Sequence, residues 1–451
     1  MKKKTIIIII VVLLIALILG LVYYLTTRNP AGEAKLTIAT VWDAPAVSGS
    51  DTLDFRNTYP RVQNGRRGFE RGLRDSAGNL HIDEIQISEG NNIRDFVMRP
   101  VHMFTEKDIL LMVGATNDEE TMDTSMEMNY FNVPMLIPFG DGILSPDNSG
   151  TDYSMRMNPT SDLYQEYFKT AYLPRDLFTF AETYLTTTGS LPPLDVNVAV
   201  FFADSFNGHD TAVKITQAIM DNGYNVNSYV PFSTNTGLSK DILGVVDAVW
   251  SESPEKLSSA DAVIFIGEDG YPFPNLDLIW HSWADKGLSP YFFMIGYIPQ
   301  EALSEDLINA ENILTVQPSL DMSSCPAGIT NRSEAMGYAA GVISGKVLSK
   351  TAAAQPDEPK GFRLWFKTEE QRRELHNEYI ASFRSNIRTA IMDLDENIPC
   401  YGPVNFKNNP DEHIKLELVH YTGIDEYSVK SPDLFLVTVL DRFLTQYGDQ
   451  Q

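Results

Sequence analysis

Along most of the chain, short and nearly continuous apolar runs alternate with longer stretches whose apolar residues recur at helical spacing. Leu36 to Val41 reads as a buried strand, and Val62 to Leu73 as a basic amphipathic helix. His81 to Ile87 alternates like a second strand. Ile93 to Phe104 is predicted helical up to the break at Pro100, and Ile109 to Val113 is a third strand ending at Gly114. Thr116 to Met128 follows as a helix and Val133 to Pro138 as a strand. Strand–helix alternation of this kind predicts a parallel sheet with helices on both faces.

The same pattern restarts after Pro192-Pro193. Val196 to Phe202 is the first strand of this second unit, and Asp210 to Asn222 its helix. Asn225 to Val230, Ala262 to Ile266 and Tyr291 to Ile295 read as strands, with Trp280, His281 and Trp283 on a helix between the last two. Glu334 to Leu348 is a helix with Gly337, Ala339, Ala340 and Gly341 suited to close packing. Residues 352–360 form an Ala/Pro/acidic loop, and Thr368 to Asp393 is mostly helical. Val404 to Thr422 is expected to fold as paired strands around a turn at Asn408-Asn409-Pro410.

The N-terminus departs from this rhythm. Lys2-Lys3-Lys4 precede an uncharged apolar run from Ile6 to Leu25, with Tyr23 and Tyr24 at its far end. Twenty residues at about 1.5 Å each span roughly 30 Å, the thickness of a bilayer's hydrocarbon core. The run exceeds the usual secretory h-region of about 7–15 residues. An uncleaved membrane anchor over residues 1–28 is therefore expected, with the lysines cytoplasmic and the bulk extracytoplasmic. The alternative is secretion after cleavage near Ala31-Gly32-Glu33-Ala34. No cysteine closes the run, so lipoprotein attachment is not expected. In this topology only a few residues stay inside the cell, too few for a signalling or ATPase domain.

About 420 residues follow the anchor, enough for two lobes with proper cores, and 43% apolar content argues for globular folding. Net charge is −25 for the chain. Setting aside the four basic residues of the anchor region (Lys2, Lys3, Lys4, Arg28) leaves −29. Such a surface repels nucleic acid and anionic headgroups, which excludes both as expected partners. Cys325 and Cys400 are the only cysteines. In an oxidising compartment they can close a disulfide or remain two buried thiols, and no Cys/His spacing resembles a zinc site.

Four stretches, in order, resemble type I periplasmic (solute) binding proteins of the leucine/isoleucine/valine- and amide-binding group. Val113-Gly114-Ala115-Thr116-Asn117, followed by a helix and Val133 to Pro138, resembles the turn that closes a strand beside the ligand. Tyr153 to Asp162 is similar to a "yffR-x-x-psd" element. Asp204-Ser205-Phe206-Asn207-Gly208 resembles "dd-x-yG", and Tyr401-Gly402-Pro403-Val404-Asn405-Phe406 resembles a late "G-x-tG-x-v-x-F" element. The resemblance covers residues from about Lys35 to Tyr421. It implies an α/β fold of two Rossmann-like parallel-sheet lobes joined by three crossovers, here behind one transmembrane helix. The expected division is an anchor at 1–28, a linker at 29–35, a first lobe at 36–158 completed by about 322–390, and a second lobe at 159–321 completed by about 391–451.

The resemblance also implies a ligand cleft between the lobes, and ligands of open α/β sheets bind at the carboxyl ends of strands. Thr116 and Asn117 stand between a strand end and a helix start, where free backbone N–H groups hold anions. The same residues with Asp118 and Glu119 also make an ordinary helix cap, and the acidic first turn opposes a bound anion. Trp42 and Asp43 follow the first strand, with the indole either stacked on a ligand or packed beneath the hinge. Asp141, between Gly140 and Gly142, falls near a family ligand contact and otherwise caps a turn. Phe206 matches an aromatic that closes over ligand. Glu268 and Asp269 follow the strand ending at Gly267 and Tyr297 follows the next, whereas Arg156 is expected to support its lobe. Asp43, Asp141, Glu268 and Asp269 would make an electronegative cleft suited to cationic or neutral polar ligands.

No Gly-x-Ser-x-Gly elbow, His-Glu-x-x-His pair or phosphate-binding Gly-x-x-x-x-Gly-Lys loop occurs, and Asp393 to Val404 fails as a calcium loop at its glycine and glutamate positions. Catalytic residues, metal and cofactor are not expected. The reading that follows is a small-molecule receptor serving a membrane ABC permease. The alternative is an extracellular sensor module for a separate kinase or chemoreceptor. An exported enzyme on the same scaffold is a third and weaker reading.

Overall fold

The computed structural model of the protein describes residues 36–42, 52–86, 108–114, 118–139, 153–169, 196–221, 223–233, 241–267, 273, 275–295, 304–356, 358, 364, 367–407, 413–423 and 426–430. The expected anchor and linker, and the expected helix from Ile93, lie outside these residues. Among the described residues no helix is long and apolar enough to cross a membrane.

The first lobe begins with β1 (Leu36–Thr40), α1 (Thr52–Ser76), β2 (Ile82–Gln86), β3 (Leu111–Val113), α2 (Asp118–Phe131), β4 (Met135–Ile137) and β5 (Ser154–Arg156). The strands form an all-parallel sheet in the order β2-β1-β3-β4-β5. Strand side chains point alternately to opposite faces, and the cores follow that period. Leu36, Ile38, Leu111 and Val113 enter one cluster with Phe69, while Ala39, Val41, Met112, Met135 and Ile137 enter another. Burial on both faces explains why these strands read as continuous apolar runs.

After β5 the chain leaves this sheet. α3 (Ser161–Tyr167), capped by the Thr160 side chain, places Tyr164 in the second lobe's core. That lobe runs through β6 (Asn197–Ala203), α4 (Phe206–Asp221), β7 (Asn225–Phe232), α5 (Ile242–Glu252), α6 (Pro254–Ser258), β8 (Ala262–Ile266), α7 (Leu276–Ala284), β9 (Tyr291–Ile295), α8 (Glu305–Asn309) and β10 (Ile313–Pro318). Its strand order, β7-β6-β8-β9-β10, repeats the winding of the first sheet. Phe201, Phe265 and Phe292 pack on one face with Trp283, while Val200, Phe202 and Ile264 pack on the other.

The chain then returns. α9 (Arg332–Ala354) lies along α1, and both helices present glycines at the contact. A Cβ added at Gly337 would land on the Gly65 carbonyl, one at Gly341 on that of Phe69, and one at Gly68 on that of Glu334. Backbone meets backbone along this seam, which larger side chains would hold apart. α10 (Glu369–Met392), with a Thr368/Gln371 capping box, braces the lobe through Arg384, whose guanidinium donates to the carbonyls of Ile109 (2.8 Å) and Phe131 (3.2 Å). Near the same helix's start, His376 bonds Glu358 at 2.6 Å and Asp108 at 2.8 Å.

The last elements correct the expected pairing around 408–410. β11 (Asp395–Ile398) and β12 (Gly402–Asn405) pair with each other and pack in the first lobe's core through Ile398, Tyr401 and Val404. β13 (Leu416–Gly423) instead adds antiparallel to β10, and β14 (Glu426–Lys430) adds to β13. Of the region expected to complete the second lobe, residues 416–430 join it, whereas residues 394–406 belong to the first. Among the described residues the chain thus passes between the cores three times: at 157–160, at 319–331 and between Phe406 and Leu416. Cys325 and Cys400 are disulfide-bonded, with Cα atoms 4.6 Å apart. Cross-linking a 75-residue separation stabilises by about 4 kcal/mol through chain entropy.

Candidate functional site at the strand ends

In both sheets the winding reverses beside the first strand, between β1 and β3 and again between β6 and β8. Outside the carboxyl ends of the strands at such a switch point, the loops diverge to opposite faces and leave a crevice. Of the sequence candidates, the described Trp42 and Phe206 fall at these two places.

At the first, Val41 N–H donates to Val113 O (2.9 Å) and Gly114 N–H to Leu136 O (3.1 Å), so the ends of β1, β3 and β4 are laced together. Gly114 has φ +121°, and a Cβ there would meet the Val41 carbonyl. Only glycine fits both the backbone conformation and the space. Trp42 is buried, its ring 5.4 Å from Phe69 and 6.2 Å from Phe139. Of its two sequence-level roles, the structure displays the packing one. Asp43, Thr116, Asn117 and Asp141 lie outside the described residues. Arg156 is buried at the end of β5.

At the second switch point, Asp204 N–H donates to Phe232 O (2.8 Å), and Ser205 Oγ accepts from Gly208 N–H (3.1 Å) to cap the start of α4. A Cβ at Gly208 would meet the Ala203 carbonyl, so this glycine lets the helix start directly over the strand end. Phe206 is then carried outward at the first helical position, 71% exposed despite its size. Glu268, Asp269 and Tyr297 lie outside the described residues, but Gly267, from which the first two depart, is held by Ile295 O at 2.8 Å. Sequence reasoning passed over the Asp204–His209 pair, 3.0 Å apart and exposed beside Phe206. Its signal was an acidic residue directly after a strand end and five positions before a histidine on the following helix.

Between the two lobes the joints are polar and largely closed. Arg332, at the start of α9, lies 2.7 Å from Glu417 on β13 and donates to the Pro318 carbonyl; the two charged side chains are 9% and 12% exposed. Tyr401 Oη donates to Met157 O at 2.8 Å. His413 packs 4.7 Å from the Phe406 ring. Burial holds its pKa down at about 4, offset only in part by the backbone of Asn405 and Arg156.

No protein-family model matches the sequence, and no curated protein is similar to it at a significant level. Solved structures are similar in fold. A possible leucine/isoleucine/valine-binding protein from Rhodopirellula baltica SH 1 is 14% identical with a TM-score of 0.57, over 91% of this chain and 100% of that one. An extracellular ligand-binding receptor from Rhodopseudomonas palustris is 12% identical with a TM-score of 0.56, over 88% and 99%. An ABC transporter substrate-binding protein from Desulfitobacterium hafniense, solved in complex with Leu, is 14% identical with a TM-score of 0.51, over 88% and 100%. The fold is therefore that of the type I periplasmic binding proteins to which the sequence motifs pointed.

Proposed function

We propose that this chain is an extracytoplasmic receptor that captures a small polar solute between its lobes and presents it to an ABC permease, without catalysis or cofactor. One observation carries the reading: two sheets of the same winding, joined by three passes of the chain, each with a glycine-built platform at its switch point. The similar structures, of substrate-binding and ligand-binding proteins, support it. Under this reading Phe206 contacts the ligand, Asp43, Thr116, Asn117, Asp141, Glu268, Asp269 and Tyr297 are the further candidate contacts, and Trp42 supports the site from within the first lobe's core. Closure of the lobes around the ligand is the working motion. The apolar run Ile6–Leu25 tethers the receptor to the outer face of the cell membrane.

A thermal-shift panel of branched-chain and cationic amino acids, amides, polyamines and sugars tests the proposal. A true ligand at 100 times its dissociation constant stabilises by about 2.7 kcal/mol. A hit among neutral or cationic compounds is the expected result. A folded sample with no hit across the panel would overturn solute capture and favour the sensor alternative.

A further inference from the structure

The three passes between the lobes converge on one small turn. Pro399-Cys400-Tyr401 joins β11 to β12, and each of its last two residues holds a different pass. Tyr401 Oη donates to the Met157 carbonyl in the first. Cys400 is bonded to Cys325 in the second, and its N–H also donates to Ser324 Oγ at 2.9 Å. The strand leaving the turn, β12, runs directly into the third. At the other end of the joint the second and third passes are stitched again, by Ser319 N–H to Lys415 O (2.7 Å) and by Arg332 to Glu417. Cys400 itself is fully buried and adopts φ +70°, a left-handed conformation that a non-glycine residue keeps only where its surroundings fix it.

We propose that this turn is a redox-set pivot, resting on the reading that the lobes close around a ligand. With Cys325 and Cys400 bonded, all three passes are held to one point and the lobes move about a fixed axis. With the thiols free, the covalent tie of the 319–331 segment to the turn is gone, among the described residues only the Ser324 hydrogen bond holds them together, and the axis is no longer fixed. The reductant is an exported dithiol. Cys325 is half-buried and Cys400 closed off, so the incoming thiolate bonds to the Cys325 sulfur while Cys400 leaves as a thiolate and takes up a proton. The second thiol of the reductant then displaces Cys325, which is protonated in turn. The dithiol ends as a disulfide and the protein gains two thiols.

Amide hydrogen exchange of the full chain, read by mass spectrometry before reduction, after dithiothreitol and after reoxidation, tests this without any ligand. Residues 319–331 and 157–160 are expected to exchange about tenfold faster or more on reduction and to recover on reoxidation, with β3 and β8 unchanged. The Cys325→Ser/Cys400→Ser double variant should match the reduced form. Unchanged exchange at 319–331 would overturn the proposal. So would an acceleration spread evenly over β1, β3 and α9, which would make the bridge a support of the first lobe's core. A null ligand panel with normal redox-dependent exchange would instead count against lobe closure itself, so the two failures are distinguishable.

Discussion

Gly337→Ala offers a test of the α1–α9 seam in which even the sign of the effect is informative. In an ordinary helix interior, glycine to alanine stabilises by about 1 kcal/mol. Here the new methyl would occupy the position of the Gly65 carbonyl, and a backbone oxygen within a helix cannot rotate away. The helices must separate, and the separation loosens Phe69, Leu73, Ala339 and Ala340, all buried in the same cluster. Overpacking costs typically 1–3 kcal/mol, and a backbone obstacle places this site near the top of that range. Subtracting the propensity gain leaves about 2 kcal/mol of net destabilisation. With a urea slope of about 2 kcal/mol/M, the midpoint should fall by about 1 M. Urea titration of the purified chain, followed by circular dichroism and tryptophan fluorescence, reads this directly. Gly341→Ala should move the same way, and Lys350→Ala, exposed on the same helix, should stay within about 0.5 kcal/mol. A midpoint for Gly337→Ala equal to or above that of the native chain would refute the glycine-on-backbone contact.

Glu417→Gln removes the partner of a nearly closed guanidinium and should cost about 3 kcal/mol, the low end for a broken buried pair because the Pro318 carbonyl remains; a thermal midpoint within 1 °C of wild type would contradict it. Burial lowers the pKa of His376, but its hydrogen bonds to Glu358 and Asp108 outweigh this and hold it above the usual 6.5. Its contribution is therefore complete below pH 6.5 and lost as pH rises through the raised value, and His376→Gln should remove that part of the alkaline decline in melting temperature. His413 has the opposite sign. Buried and held at about 4, it favours the folded state above 6.5 and loses up to about 3 kcal/mol as pH falls from 6.5 towards 4, a loss that His413→Phe should abolish in acid melts. Phe206→Ala, at an exposed position, should change stability by less than about 0.5 kcal/mol yet shrink the thermal shift given by any hit in the ligand panel; an undiminished shift would remove Phe206 from the site.

The sequence was most legible where strands are buried on both faces. Ala262–Ile266 and Tyr291–Ile295 were placed to the residue, because a continuous apolar run between polar flanks leaves little freedom. β5 was missed as a strand: three residues, Ser154–Arg156, carry no periodicity, and only the motif around them drew notice. α1 was read from Val62 although it starts at Thr52, since Pro60 and the polar residues before it mask the pattern. The pairing of residues 404–422 was misjudged because alternation shows that a strand exists but not which strand it meets. β12 meets its immediate predecessor β11, with Ile398 opposite Gly402, whereas β13 meets β10, with Val419 opposite Thr315 about a hundred positions earlier. In the candidate site, the exposed position of Phe206 was legible from the turn-like residues around it. The hinge pair Arg332–Glu417 was not, since two charges 85 positions apart leave no trace in a local pattern.

The seam between α1 and α9 also has a consequence for how the chain is made. The two helices are separated by the rest of the first sheet and by β6 to β10 of the second, some 256 residues from Ser76 to Arg332. At about 5–20 residues per second of synthesis, the glycine face of α1 waits roughly 13–50 s for the helix that covers it. During that interval the first five strands can assemble a sheet, but one of its two apolar faces is covered only by α1, without the α9 side chains that complete its cluster. The nascent first lobe is therefore a client for whatever holds unfinished chains, and any product ending before α9 should be degraded rather than accumulate. The second lobe, whose β6 to β10 are consecutive in the chain, has no such wait and can fold while the first is still open.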